Sequence, residues 1–215
     1  MTDNFRLFEE YVYNSIPNRG RKINDDPDKY WVVEIIKRNK DHDMTGNNIH
    51  FKNYYITTIS ELYRYESEIK KLCDVFGFRA YISINYKSYE QVTKDACLAY
   101  ADRIAKHDFK KPYRIWESCS GKYVDSNDKR WILDFDEKNL PWETVENLLS
   151  TCRPEGPKVL CKFPTKNGLH FITYPFDIQE FTNKWNSEFD HKSLPDIKKN
   201  HLTLLYENLD GYGNN

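Results

Sequence analysis

The run Trp131-Ile132-Leu133-Asp134-Phe135-Asp136-Glu137 decides how this chain is expected to fold. Its apolar residues predict a β-strand, in which side chains two positions apart point to the same face. Asp134 and Asp136 then lie side by side, while Leu133 and Phe135 point the other way, into a core. Adjacent carboxylates disfavour each other's ionisation unless a cation lies between them, so the pair is a candidate Mg²⁺ or Mn²⁺ site. The alternative is an acidic cluster in water at a strand end.

A hairpin that contains a histidine follows the aspartates after one helix and one strand. Its sequence is Pro164-Thr165-Lys166-Asn167-Gly168-Leu169-His170, and its Asn-Gly pair is a strong signal for a β-hairpin. We therefore expect paired strands at residues 158–163 and 169–174. His170 then lies on a strand that returns towards the two aspartates. The alternative is a hairpin histidine that is hydrogen-bonded to a neighbouring carboxylate.

The rest of the chain alternates between the apolar patterns of helices and of strands. Further strands are expected at residues 30–36, 51–58, 78–85 and 202–206. Helices are expected at residues 5–12, 60–77, 88–106, 140–153 and 176–189. Ser60 is the expected N-cap of the second helix and Gly77 its expected stop.

These patterns predict an α+β fold. We expect an RRM-like core with a mixed or antiparallel sheet and flanking helices at residues 129–207. An N-terminal α/β module at residues 1–128 is either separate from this core or continuous with it, and residues 208–215 form a flexible tail. Loops are expected at residues 17–28 and 37–48, the second with a basic tip at Lys37, Arg38 and Lys40.

Composition excludes several classes of protein. Hydrophobic residues make up 39% of the 215 residues, so a packed core is expected rather than disorder. The net charge of −1 lacks the basic excess of a protein that coats nucleic acid, so any such contact needs a local patch. Five scattered cysteines argue against a disulfide framework or a cysteine-rich zinc site. Without a signal peptide or an apolar run of ~20 residues, the chain is expected to be cytoplasmic and to bind no membrane.

Two groups of basic and polar residues are candidates for binding phosphates. Arg79, Asn85, Lys87 and Ser88 lie at and just beyond the strand at 78–85, and groups of this kind donate hydrogen bonds to phosphate. The alternative is a solvated sheet face with polar tips. The second group lies in the polar, irregular stretch 107–128, which is either a connecting loop or a lid that contacts nucleic acid through Lys110, Lys111, Arg114 and Lys122.

The order of these motifs resembles the catalytic core of archaeo-eukaryotic primases and the related prim-pol proteins. In that family an hhhDhD/E strand supplies metal ligands, an S-x-H or G-x-H strand supplies a histidine for the nucleotide, and a third strand adds an acid. Ile132-Leu133-Asp134-Phe135-Asp136 is similar to the first motif and Gly168-Leu169-His170 to the second. Leu204-Leu205-Tyr206-Glu207 is the weakest match, because the family more often has Asp at its end. The chain also resembles small proteins of tailed phages and of gut Bacteroidetes.

The resemblance implies a metal-dependent nucleotidyltransferase of the primase-polymerase type, acting in DNA replication. Asp134, Asp136 and Glu207 would hold Mg²⁺ or Mn²⁺, and His170 would contact a phosphate or sugar of a nucleoside triphosphate. Lys166 and Arg79 would then bind phosphate, with Asn85 and Lys87 as further candidates. The implied partners are a nucleoside triphosphate, nucleic acid, and a replication or host-factor protein.

The sequence departs from the family pattern and leaves alternatives open. Gly168 stands where the family commonly has serine. The sequence shows no zinc-ribbon cysteines and no helicase-like domain, so it is not expected to be a complete replication primase. One alternative is a non-catalytic phage factor that binds nucleotides or nucleic acid in host interaction or counter-defence. Another is an interaction module rich in tyrosine. A third is a phosphoesterase, because His201-Leu202-Thr203-Leu204 has one half of a two-histidine signature whose second copy is missing at His170.

Overall fold

A computed structural model describes residues 1–14, 26–38, 48–137, 139–189 and 192–208. These residues form two antiparallel β-sheets with helices packed on them, which confirms the α+β class predicted from the sequence. Lys40 of the expected basic tip, residues 17–25 of the first expected loop and residues 209–215 of the expected tail lie outside the described residues. No helix in the described part of the chain is long and apolar enough to cross a bilayer.

The first sheet contains strands from both ends of the chain. Its order is β1 (Thr2–Asp3), β10 (Leu202–Glu207), β4 (Arg79–Ser83), β2 (Lys29–Lys37) and β3 (Ile49–Ile56), and the short β5 (Lys87–Ser88) pairs with the start of β2. Every pairing in this sheet is antiparallel. The four strands predicted for this part of the chain are confirmed, with shifts of at most two residues at their ends.

The second sheet carries the predicted aspartates and histidine. Its order is β7 (Val159–Pro164), β8 (Leu169–Thr173), β6 (Trp131–Phe135) and β9 (Asp196–Lys198). The predicted hairpin of β7 and β8 is confirmed. β9 was not predicted, because three residues are too few to show an alternating pattern. Since β10 joins the first sheet, the expected segments 1–128 and 129–207 share a sheet.

Helices are α1 (Phe5–Phe8), which continues as a π-helical turn (Glu9–Tyr13), α2 (Ile59–Phe76), α3 (Tyr89–Ala105), α4 (Arg114–Lys122), α5 (Trp142–Ser150) and α6 (Ile178–Glu188). α2 is capped by Thr58, whose side chain accepts a hydrogen bond from the Glu61 amide, so the predicted cap at Ser60 is wrong. Gly77 ends α2 with φ 63°, as predicted. The stretch 107–128 was expected to be irregular, but its residues Arg114–Lys122 form the helix α4. Within this helix, only Ile115 and Ser120 are buried.

Two hydrophobic cores lie on opposite faces of the second sheet. One core lies between the first sheet, α2 and the inner face of the second sheet, and it contains Ile132. The other lies between the second sheet and the helices α5 and α6, and it contains Leu133 and Phe135. Because side chains alternate along β6, Asp134 shares the face of Ile132. The Asp134 side chain therefore points to the first sheet, at the edge of the core between the two sheets.

Candidate functional site

Asp134 and His170 are cross-strand neighbours on β6 and β8. His170 Nε2 lies 3.1 Å from Asp134 Oδ1, and His170 Nδ1 lies 3.0 Å from the hydroxyl of Thr203 on β10. With its proton on Nε2, the ring donates to the carboxylate and accepts from the hydroxyl. The proximity predicted from the hairpin is observed, and the same contact matches the alternative of a hairpin histidine hydrogen-bonded to a neighbouring carboxylate. The first sheet fixes the ring through Thr203.

Lys198 on β9 binds the second oxygen of the Asp134 carboxylate. β9 flanks β6 on the side opposite to β8, so the carboxylate lies between the ammonium group of Lys198 and the imidazole of His170. Burial alone raises the pKa of Asp134, but the hydrogen bonds and charges of His170 and Lys198 outweigh it and hold this pKa well below its ordinary value. Sequence reasoning missed Lys198, because the pairing of β9 with β6 has no local signal.

The turn between β7 and β8 lies directly on the backbone that carries the aspartates. A Cβ atom at Gly168 would lie 1.7 Å from the carbonyl oxygen of Phe135 and 3.1 Å from Cα of Asp136. The Asn-Gly pair predicted the hairpin correctly. Gly168 itself is required because the turn approaches the Phe135 backbone too closely for a side chain. Asp136 is exposed one residue beyond β6, and Lys166 is exposed in this turn.

Glu207 is not part of this group. Its carboxylate lies 3.1 Å from Nε of Arg79, and both side chains are almost completely buried. Glu207 is four residues beyond Thr203 on β10, which is about 13 Å along a strand. The expected roles of Glu207 as third metal ligand and of Arg79 as phosphate clamp are therefore corrected, because the two side chains neutralise each other inside the first sheet.

No group of three or more His, Cys, Asp and Glu side chains arranged to hold a metal ion occurs among the described residues. A complete protein cage for Mg²⁺ is thus not formed by the parts of the chain that the structure covers. Asp134 and Asp136 remain the two candidate ligands, and the cation stays a prediction.

Asn85 has a structural role instead of the predicted role in cofactor binding. It accepts a hydrogen bond from the Arg130 amide (2.8 Å) and donates to the Arg130 carbonyl (3.0 Å). The oxygen and the nitrogen of the buried Asn85 amide are therefore both hydrogen-bonded to the backbone of Arg130. The contact fixes the entry into β6, immediately before the strand that carries Asp134.

A cavity of about 360 Å³ opens on the first sheet, within the range of roughly 300–1,000 Å³ that is typical of small-molecule sites. Val32, Glu34 and Ile36 of β2 line it, whereas the alternate residues Val33 and Ile35 belong to the core. Its other lining residues are Asn48, His50, Asn53, Tyr55, Ser83, Lys87, Glu117, Ser120, Gly121, Asn200, His201 and Leu202.

Lys87 is the one phosphate candidate of the strand 78–85 group that lines this cavity. Its side chain is buried, and Nζ donates to the Tyr123 carbonyl (2.7 Å) and to Oδ1 of Asn200 (3.2 Å). Burial lowers the pKa of Lys87 to about 8. Burial likewise raises the pKa of Glu34, although His50 at 3.3 Å opposes that shift. Both environments favour the neutral forms of these groups.

His201 lines the cavity and is exposed. Partial desolvation and the charges of Lys198 and His170 lower its pKa, while its hydrogen bond with the Leu202 carbonyl and the charge of Asp134 oppose the shift. The sequence singled out His201 only as half of a phosphoesterase signature, and the structure places it at the cavity.

Comparison of the chain with protein-family models, with curated proteins and with solved structures finds no match. The functional argument therefore rests on the residues and the geometry described above.

Proposed function

We propose that the protein binds a nucleoside triphosphate with Mg²⁺ or Mn²⁺ at the Asp134–His170 pair and acts as a nucleotidyltransferase of the primase-polymerase type. The observation that carries the proposal is the contact of Asp134 with His170, 3.1 Å apart on neighbouring strands. Lys198 binds the same carboxylate, and Asp136 and Lys166 are exposed just beyond β6 and in the turn that adjoins it. A phosphate chain with a divalent cation needs this mixture of anionic and cationic groups.

The residues fit a cation that is held jointly with its substrate. Mg²⁺ is commonly bound by one or two carboxylates and by phosphate oxygens, without a full set of protein ligands. Asp134 and Asp136 would supply the carboxylates. Lys198 now binds Asp134, but its partly exposed side chain is able to exchange the carboxylate for a phosphate. When bound, the cation neutralises the triphosphate and activates the attacking hydroxyl.

The chain's own side chains would orient the nucleotide. His170, held by Thr203, would exchange Asp134 for a phosphate oxygen as the acceptor of its Nε2 proton, and Lys198 and Lys166 would neutralise the remaining charge. The cavity is not assigned to the sugar and base, because Val32, Glu34 and Ile36 place it on the face of the first sheet opposite the core that borders Asp134.

Thermal unfolding with each of the eight common nucleoside triphosphates, with MnCl₂ or with EDTA, tests the proposal. A bound triphosphate should stabilise the fold by about 2.7 kcal/mol at a hundred times its Kd, and Asp134→Asn should abolish the part that depends on the metal. The matched control is Asp102→Asn, which removes a carboxylate from an exposed ion pair on α3. Stabilisation by no nucleotide would refute the proposal.

A second candidate is a factor that binds nucleotides without catalysis. It is favoured by the two partners, His170 and Lys198, that Asp134 already has and by the enclosure of Glu207 against Arg79. Nucleotide stabilisation that persists in EDTA, together with no incorporation of labelled nucleotide on a primed template, would select this candidate.

A further inference from the structure

The corner between α3 and α4, residues 103–114, has an unusual charge. It contains five basic residues and one acidic residue, whereas the whole chain has a net charge of −1. The acid, Asp108, lies 3.2 Å from Arg103 and is neutralised by it. Lys110, Lys111 and Arg114 are exposed and form no ion pair with any residue that the structure describes. We call residues 103–114 the basic corner.

Two aromatic rings stand among these cations in contact with solvent. Phe109 is 65% exposed and Tyr113 is 66% exposed. Large exposed apolar groups that are close together commonly mark a binding surface. Here each ring lies within two residues of a lysine or an arginine, so the surface offers flat apolar faces and positive charge together.

The backbone of the basic corner is fixed by hydrogen bonds. Arg103 donates from Nη1 to the Lys110 carbonyl (2.7 Å), and the Tyr100 hydroxyl donates to the Pro112 carbonyl (3.0 Å). His107 and Lys111 adopt the left-handed conformation, with φ of 52° and 49°, which costs energy for residues other than glycine. The backbone that carries the exposed rings of Phe109 and Tyr113 is therefore constrained.

We infer that the basic corner binds single-stranded nucleic acid. Lys110, Lys111 and Arg114 would contact phosphates, and Phe109 and Tyr113 would stack on unpaired bases, the combination that single-strand-binding surfaces use. A protein partner is disfavoured, because lysine is depleted in protein interfaces. A membrane surface is disfavoured, because acids such as Asp95 and Asp102 interrupt the exposed side of α3.

α4 connects the basic corner with the cavity on the first sheet. α4 begins at Arg114, and Glu117, Ser120 and Gly121 of the same helix line the cavity. At 1.5 Å per residue, Ser120 lies about 9 Å along the helix from Arg114. The inference deepens the proposed function by giving its nucleic-acid partner a surface, but binding at the corner requires neither nucleotide nor metal.

Fluorescence anisotropy with labelled oligothymidylate of 20 nucleotides, in EDTA and without nucleotide, tests this inference apart from the proposed function. Phe109→Ala and Tyr113→Ala should each weaken binding about tenfold. The double variant Lys110→Gln/Lys111→Gln should reduce the slope of log K against log salt by about 1.4, because each phosphate that a lysine neutralises contributes ~0.7 to the slope. Phe76→Ala and Lys71→Gln on α2, both exposed, are matched controls that should leave binding unchanged.

Several outcomes would overturn the inference. Equal affinity for a blunt duplex would exclude stacking on unpaired bases, and unchanged affinity in the aromatic variants would exclude the corner. If binding of the oligonucleotide falls only in Asp134→Asn, the oligonucleotide would be assigned to the nucleotide site and not to the basic corner. Corner-dependent binding to phosphatidylserine vesicles without binding to the oligonucleotide would show a membrane surface. Because the substituted side chains are exposed, circular dichroism of each variant should show an unchanged fold.

Discussion

Asp134 and Glu207 are both carboxylates on β-strands, and both are paired with cations, but their surroundings differ. Glu207 and Arg79 have side chains that are 4% and 6% exposed, whereas Asp134 and Lys198 are 20% and 28% exposed. The first pair is sealed inside a sheet and the second is open to solvent on one side. We infer from this difference that a carboxylate in a sequence motif is a candidate for binding a ligand only when the basic side chain paired with it is accessible to solvent and can be displaced.

The neighbours of the two carboxylates differ. Glu207 lies between β4, which carries Arg79, and β1, whose Thr2 hydroxyl is 3.4 Å from the carboxylate. Asp134 lies near the end of β6, between β8 and the short β9 that carries Lys198. Because β1 is as short as β9, the two pairs are separated by the exposure of their cations and not by the length of the neighbouring strands.

The largest effect is expected from breaking the sealed pair. Arg79→Met leaves the buried Glu207 carboxylate unpaired, which should lower the free energy of unfolding by about 3–5 kcal/mol. Urea denaturation measures the loss. The double variant Arg79→Met/Glu207→Leu should recover most of it, since it removes both charges. A loss below about 1 kcal/mol in Arg79→Met would mean that the pair is not sealed.

Lys87, the buried lysine that lines the cavity, is a third charged side chain to compare with the sealed pair and the open pair. Burial lowers the pKa of Lys87 to about 8 from 10.5, so between these pH values the unfolded chain binds more protons than the folded chain. Stability should therefore rise with pH in this window, by roughly 3 kcal/mol at most. Subtracting the urea unfolding free energies of Lys87→Met from those of the unmodified chain isolates this rise. A flat difference between pH 8 and 10.5 would contradict it.

The turn at the open site is expected to tolerate no side chain. Gly168→Ala would place Cβ 1.7 Å from the Phe135 carbonyl oxygen, so the hairpin must shift, at a cost of about 1–3 kcal/mol. Gly121→Ala on α4 is the matched control, because nothing lies within 4 Å of its added Cβ. Urea denaturation should show a loss for the first variant and a gain of about 0.5–1 kcal/mol for the second.

The smallest effect is expected from the open carboxylate itself. Asp134→Asn should lower the free energy of unfolding by about 1–2 kcal/mol at neutral pH, since hydrogen bonds to a charged group are removed. Because the pKa of Asp134 is lowered on folding, its contribution is present above about pH 4 and is lost as the pH falls below that. The difference between the two proteins in urea should therefore shrink from pH 7 to pH 2.5. A constant difference would assign the effect to packing.

Local sequence patterns predicted the parts of the site that local geometry determines. β6, the hairpin and the cross-strand position of His170 follow from alternation and from one turn, all within about 40 residues of chain. Lys198 was missed, because its contact depends on a strand of three residues. Glu207 was misassigned, because alternation shows which face a side chain occupies but not which sheet its strand joins.

The polar residues of the first sheet show the same limit. Arg79 and Asn85 had the composition of phosphate-binding groups, but Arg79 is ion-paired with Glu207, and the Asn85 amide is hydrogen-bonded to the backbone of Arg130. Such partners are distant in sequence, so composition alone could not separate structural polar residues from residues that bind a ligand. The placement of Lys87 on a cavity likewise needed the folded chain.

The position of β10 between β4 and β1 also has a consequence for the order of folding. Its pairings with β4 and β1 join residues that are 119 to 205 positions apart, and such distant contacts form slowly because a long loop must close. On the ribosome, Thr203 reaches His170 only after nearly the whole described chain has been made. We expect pulsed hydrogen exchange during refolding to protect β2 and β3 before β10. Simultaneous protection of all three strands would contradict this order, in which the candidate site is completed last.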